Sequence, residues 1–256
     1  MSEILNQGKV DISISKGIGT IQFSHPLSNS LPGKLLAELA QTITEMGNND
    51  AVTIIVLKSA GERAFCAGAS FDELISINDI ETGKVFFSGF ANVISACRKC
   101  PKLIIGRVQG KAVGGGVGIA SAVDYCVATK FASVKLSELA VGIGPFVVGP
   151  AVERKIGTSA MSQLAIDATE WQTAEWAKQK GLYTEIYDNV EDMDAAIEIL
   201  ADKLSSSNPE AMRLLKQIFW KGTENWDDLL KERAAMSGEL VLSDFTKNAI
   251  NKFKNN

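Results

Sequence analysis

Val52 to Leu57 (VTIIVL) is a short, continuous apolar run, the pattern of a strand covered on both faces. Leu103 to Val108 and Tyr125 to Ala128 repeat that signal, with a helical stretch near Gly83 to Cys97 and a glycine cluster between them. Buried strands separated by helices need crossover connections, so the chain folds as α/β around a largely parallel sheet. A hairpin precedes this core: Lys9 to Ser15 alternates with period two, and Gly17 turns the chain into Ile18 to Phe23. Pro32 then opens a helix in which Leu35, Leu36, Leu39, Ala40 and Ile43 recur at helical spacing, ended by Gly47-Asn48-Asn49.

Beyond Pro145 the pattern turns almost wholly helical, over residues 158–168, 173–180, 190–204, 209–220 and 226–242, with one strand signal at Leu182 to Tyr187. The reading divides the chain into a core, residues 1–195, and a helical C-terminal region, residues 196–256. The latter carries Phe219, Trp220, Trp226, Leu229, Leu230, Phe245 and Phe253, so it must pack on the core or on another subunit. With no repeat or low-complexity linker, the two parts are expected to form one cooperative unit.

Composition narrows the chemistry. The 256 residues hold 26 Lys+Arg against 30 Asp+Glu, a net charge of −4, which leaves no basic surplus for nucleic acid. His25 is the only histidine, so His-rich metal sites and His-based nucleophile triads are disfavoured. The apolar stretch Leu139 to Val152 is interrupted by glycines and prolines and too short to span a bilayer, so no membrane role is expected. Neither a basic start nor an apolar signal core opens the chain, and four cysteines make no disulfide scaffold; both point to the cytoplasm. Cys97-Arg98-Lys99-Cys100 lacks the second pair a zinc shell needs and reads as helix-end core thiols.

Three segments carry candidate chemistry. In Arg63 to Phe71 (RAFCAGASF), small residues let backbone N–H groups approach a ligand, although a plain tight loop uses the same residues. Gly110 to Ala120 (GKAVGGGVGIA) runs from a strand into a helix whose free N–H groups can hold a polarised oxygen, and close helix–strand packing would also select those glycines. It is no P-loop, since no Gly-Lys pair is followed by Ser or Thr, and no dinucleotide fingerprint, since Ile119 replaces the third glycine. Glu138, just before a Gly-rich apolar run, is either a solvated loop residue or a desolvated acid with a raised pKa.

Taken in order, AFCAGAS, GKAVGGGVG and SELAVGIGP resemble the signature of the enoyl-CoA hydratase/isomerase family, the crotonase superfamily. Ser28-Asn29-Ser30-Leu31 and TAEWAKQKGL (173–182) extend the likeness over nearly the whole chain. The resemblance implies a crotonase-type spiral of ββα turns, a C-terminal helical trimerisation region giving a homotrimer or dimer of trimers, and a coenzyme A thioester as substrate with no separate cofactor or metal. It implies an oxyanion hole made by the N–H groups of Ala69 and Gly115, with Glu138 moving the proton. Ala67, Gly68, Gly114 and Gly142 are carried over as substrate-binding, and Phe253 as the place where a neighbouring subunit touches the adenine end.

Two departures bear on the reaction. Hydratases of this family pair two glutamates, whereas the earlier position here is Gly118. One carboxylate can still move a proton from the α- to the γ-carbon, so the resemblance favours isomerisation of a 3-enoyl-CoA to a 2-enoyl-CoA over hydration, with a non-catalytic acyl-CoA-binding subunit as a third reading. Ser70 stands where many members have aspartate. Acyl-pocket depth is expected to depend on the Phe71–Phe90 region and on the helices after Pro145. In so acidic a chain, the CoA phosphates need local lysines or arginines.

Overall fold

A computed structural model describes residues 7–254, apart from the side chains of residues 251, 253 and 254. Strands β1 (Lys9–Ser15) and β2 (Ile18–Ser24) form the expected antiparallel hairpin, with Lys16 and Gly17 both at positive φ, as a tight right-twisted hairpin turn requires. Alternation in β2 sends Ile21 and Phe23 into the core. Helix α1 (Gly33–Asn48) buries Leu35, Leu36, Leu39 and Ile43 on one stripe.

Three ββα turns follow. The first comprises β3 (Ile54–Ser59), β4 (Ala64–Cys66) and helices α2 (Phe71–Ser76) and α3 (Ile80–Lys99). The second is β5 (Ile104–Val108), β6 (Lys111–Val113) and α4 (Gly115–Ala122); the third is β7 (Tyr125–Thr129), β8 (Val134–Lys135), a 3-10 turn at Leu139–Val141 and α5 (Gly149–Ile166). Successive strands alternate between two sheets. One has the order β1-β2-β3-β5-β7-β9, where β9 is Glu185–Tyr187; the other has the order β4-β6-β8. After the hairpin every pairing between two of these strands is parallel, and each turn adds one strand to each sheet, which is the spiral the resemblance implied.

The remaining helices are α6 (Ala174–Lys180), α7 (Val190–Ser205), α8 (Pro209–Phe219), α9 (Trp226–Leu240) and α10 (Asp244–Lys254). Met193, Ile197 and Ala201 of α7 cover one face of the large sheet, against Ile54, Val56, Ile105 and Val127. The division after residue 195 falls inside α7, which packs on the large sheet along its length. Trp226, Leu230 and Ala234 of α9 join the main core cluster. Asp124 ties α8 down: its carboxylate accepts from Ile104 N–H (2.8 Å), Lys216 Nζ (2.8 Å) and Trp220 Nε1 (2.9 Å).

The structure corrects the reading at several boundaries. Strands β4, β6 and β8 are two or three residues long, too short for a periodic signal. Helix α5 begins at Gly149, nine residues before the expected start, because Pro150 occupies its first turn, where no N–H is needed. Gly157, at φ +74, kinks it at the point where the sequence pattern restarts. All four cysteines are free and buried, Cys97 and Cys100 at the end of α3 among them.

Candidate active site

The two glycine-rich segments meet because the β4–β6 pairing lays their ends side by side. The Ala67–Ser70 loop is held from below by the segment 28–31. Ala67 N–H donates to Ser28 C=O, Leu31 N–H to Gly68 C=O and Ser70 N–H to Leu31 C=O. Asn29 anchors that segment in turn: its Nδ2 donates to the carbonyls of Ala60 and Ala64, and its Oδ1 accepts from His25 N–H. Buried amides with all their bonds made fix a loop rigidly. Asn29 was legible only as part of the family likeness, since the two carbonyls it donates to, Ala60 and Ala64, are more than thirty residues away.

Gly114 adopts φ 51, ψ −113, a conformation open to glycine, and starts α4. Its N–H is spent on Lys135 C=O. Gly115, the first residue of α4, has no acceptor inside the helix. Among the described residues the neighbouring bonds use the N–H groups of Gly68, Ser70 and Gly114 and leave those of Ala69 and Gly115 unspent. A Cβ on Gly68 would lie 3.9 Å from Gly115 N, which measures how closely the two loops approach. Gly116 confirms the packing reading for one glycine, since a Cβ there would meet Cys66 C=O at 2.5 Å.

Glu138 leads into the 3-10 turn at the end of β8, its carbonyl accepting from Val141 and Ile143 N–H. Its carboxylate faces Gly114: a Cβ on that glycine would stand 2.9 Å from Oε1. Oε2 is buried without a hydrogen-bond partner among the described residues. Burial pushes the carboxyl up to about 7, against the lowering effect of its own backbone N–H. Desolvation penalises the charged form, and among the described residues no cation offsets it. Of the two alternatives for Glu138, the desolvated one is the structure's.

Glu138 opens into a cavity of about 440 Å³ whose lining is mostly apolar. Ala67, Gly68, Ala69, Gly114 and Gly115 all line it. Phe71, Leu74, Phe86, Phe87 and Phe90 close one side and Pro145 to Val148 another, the two regions expected to set its depth. Gly142 does not line the cavity. It turns the chain at φ +83 and packs under α10, with Phe245 and Thr246 filling the space beside it. Phe253 lies on α10, and its side chain is outside the described residues. Ser70 caps α2, its Oγ accepting from Glu73 N–H, and Glu73 accepts from Gly33 N–H, so both serve the scaffold.

The absent second carboxylate has a structural counterpart. Gly118 is buried in α4, and a Cβ there would lie 2.5 Å from Val148 Cγ1 and 2.9 Å from Val148 Cβ. Val148 itself lines the cavity. It is therefore an apolar wall beside the position where the resemblance implies a glutamate. Nothing in the local pattern around Val148 announces this, because the contact depends on how α4 meets the chain before α5.

One buried carboxylate beside two closely apposed glycine-rich backbone segments, on a spiral of ββα turns, is the crotonase arrangement. The chain belongs to the enoyl-CoA hydratase/isomerase family, whose profile matches residues 13–254. It is 31% identical over 227 residues to the short-chain-enoyl-CoA hydratase of Clostridium acetobutylicum, covering 88% of this chain and 86% of that protein. It is 25% identical over 238 residues to the peroxisomal Delta(3,5)-Delta(2,4)-dienoyl-CoA isomerase of Arabidopsis thaliana, covering 87% and 84%. The solved structure of an enoyl-CoA hydratase from Bacillus halodurans superposes with a TM-score of 0.87 at 21% identity, over 95% of this chain and 99% of that one, a likeness of fold.

Proposed function

We propose that this chain isomerises a 3-enoyl-CoA to a 2-enoyl-CoA, with Glu138 as the single proton carrier. The observation that carries the reading is Val148 filling the space beside Gly118, which leaves one carboxylate against an apolar wall. The thioester carbonyl accepts from the N–H groups of Ala69 and Gly115. Glu138 takes a proton from the α-carbon, and the electron pair moves through the thioester to give a dienolate whose oxygen those two donors hold. The same carboxyl returns the proton to the γ-carbon, and the double bond comes to rest between the α- and β-carbons. Donors of this kind contribute about 10²–10³ in rate each. A carboxyl with a pKa of about 7 can both accept and give the proton near neutral pH.

A second reading, hydration of a 2-enoyl-CoA, draws support from the name of the Clostridium relative. Assaying 2- and 3-enoyl-CoAs in deuterated water separates the two. Double-bond migration that Glu138→Gln abolishes supports isomerisation; rapid water addition without migration overturns it. A thioester that binds but never turns over would assign a binding subunit. The homotrimer remains part of the proposal, supported by Leu214, Leu215, Ile218 and Phe219 exposed on α8 and Phe245 on α10.

A further inference from the structure

We propose that Lys111 and Lys135, set against Trp171, form an anion site that selects acyl chains carrying a second, distal carboxylate; the inference rests on the acyl-thioester reading of the cavity. Lys111 Nζ lies 4.8 Å and Lys135 Nζ 4.7 Å from the centroid of the Trp171 ring. Two ammonium groups gathered at one indole raise the local positive potential, and an anion nearby lowers that cost. Among the described residues neither lysine has a carboxylate within ion-pair distance, although acidic residues outnumber basic ones in the chain.

The small sheet explains the placement. Val113 pairs with Lys135, and Ala112 with Val134, so alternation buries Ala112 and Val134 on one face and presents Lys111, Val113 and Lys135 on the other. Val113, Lys135, Glu138 and Trp171 all line the cavity. Trp171 is 38% exposed, so the ring sits at the margin where an anion keeps some water. Among the described residues Lys135 forms no ion pair with Glu138, whose Oε2 is buried without a hydrogen-bond partner.

Position distinguishes the two sources such an anion could have. Lys135 C=O accepts from Gly114 N–H, the residue before the Gly115 donor, and lies three residues from Glu138. Lys135 thus lines the same cavity as the reacting centre, with its ammonium beside Trp171. The long pantetheine arm carries the CoA phosphates well away from the thioester, whereas a carboxylate on a short acyl chain stays within that cavity.

The test compares 3-hexenoyl-CoA with the monothioester of 3-hexenedioic acid, by kcat/KM and by calorimetric Kd. The wild type is expected to favour the carboxylated probe by about 10- to 100-fold, the scale of one charge-assisted hydrogen bond. Lys111→Met with Lys135→Met should bring that ratio close to one, and the matching arginine pair should keep it. Lys111 is exposed, so Lys111→Glu alone gives a folded variant in which the ratio must also fall. Equal weakening of both probes would assign the lysines to the CoA phosphates and overturn the proposal, as would a preference that survives the double substitution. If the wild type turns over neither probe, the isomerase reading fails by itself, and the Kd ratio still decides the anion site; binding of neither probe overturns it.

Discussion

Val148 Cγ1 would lie 2.5 Å from any Cβ placed on Gly118, so these two residues trade volume across the contact between α4 and the segment leading into α5. Gly118→Ala is expected to destabilise the fold by about 1–3 kcal/mol through overpacking, in spite of the helix-favouring change. Val148→Ala should relieve most of that in the double variant, and urea unfolding of the four proteins gives the coupling directly. Additive effects would mean the backbone, not Val148, sets the glycine requirement. With the space opened, Gly118→Glu combined with Val148→Ala should gain measurable hydration of a 2-enoyl-CoA.

Gly114 holds two constraints at once, a glycine-only backbone and a carboxylate 2.9 Å from where a Cβ would be. Gly114→Ala is expected to cost about 1–3 kcal/mol in backbone strain. It should also push the Glu138 carboxylate aside and lower kcat by about 10²-fold or more, the scale of a misplaced catalytic group. A variant that loses stability while keeping kcat would show that Glu138 tolerates displacement.

Glu138 gives a pH profile of defined sign. Abstraction needs the carboxylate, so kcat/KM for a 3-enoyl-CoA should rise with pH through about 7 and then level off. Its folded pKa stands above the ordinary value of 4.5, so the folded state holds the proton more tightly than the unfolded chain. The stability this confers is fully present below pH 4.5 and is lost as pH rises through about 7. The loss is at most about 3 kcal/mol. Glu138→Gln should therefore match the wild type in acid and exceed it above neutrality, by denaturant unfolding at several pH values.

Much of this was legible beforehand because burial and spacing coincide. The strand runs at Val52, Leu103 and Tyr125 are apolar on both faces in the sheet, as their composition required. Ala69, Gly115 and Glu138 could be placed because small residues and a lone acid stand at fixed points in three ordered motifs. The pairing of Val148 with Gly118 and of Phe90 with Gly115 could not, since each is a contact across the fold: Phe90 ring atoms lie 2.2 Å from where a Gly115 Cβ would be. Gly142 shows what a motif leaves out: Val141 and Ile143 beside it line the cavity, while the space next to Gly142 itself is taken by Phe245 and Thr246 of α10.

Asp124 and Lys216 form a buried ion pair, 2.8 Å apart with both side chains under 5% exposed. Trp220 Nε1 and Ile104 N–H fill the carboxylate's remaining sites, so the charge is compensated in place. Lys216→Met should leave that carboxylate without the one counter-charge that stands within ion-pair distance among the described residues, and cost about 3–5 kcal/mol. Because Trp220 also packs edge-to-face on Trp226, whose helix α9 joins the main core, the loss should spread through the whole chain. A single, earlier transition in urea, seen alike by tryptophan fluorescence and by far-ultraviolet circular dichroism, is the expected result. Separate transitions, with fluorescence lost first, would show instead that α8 to α10 undock while the spiral stays folded.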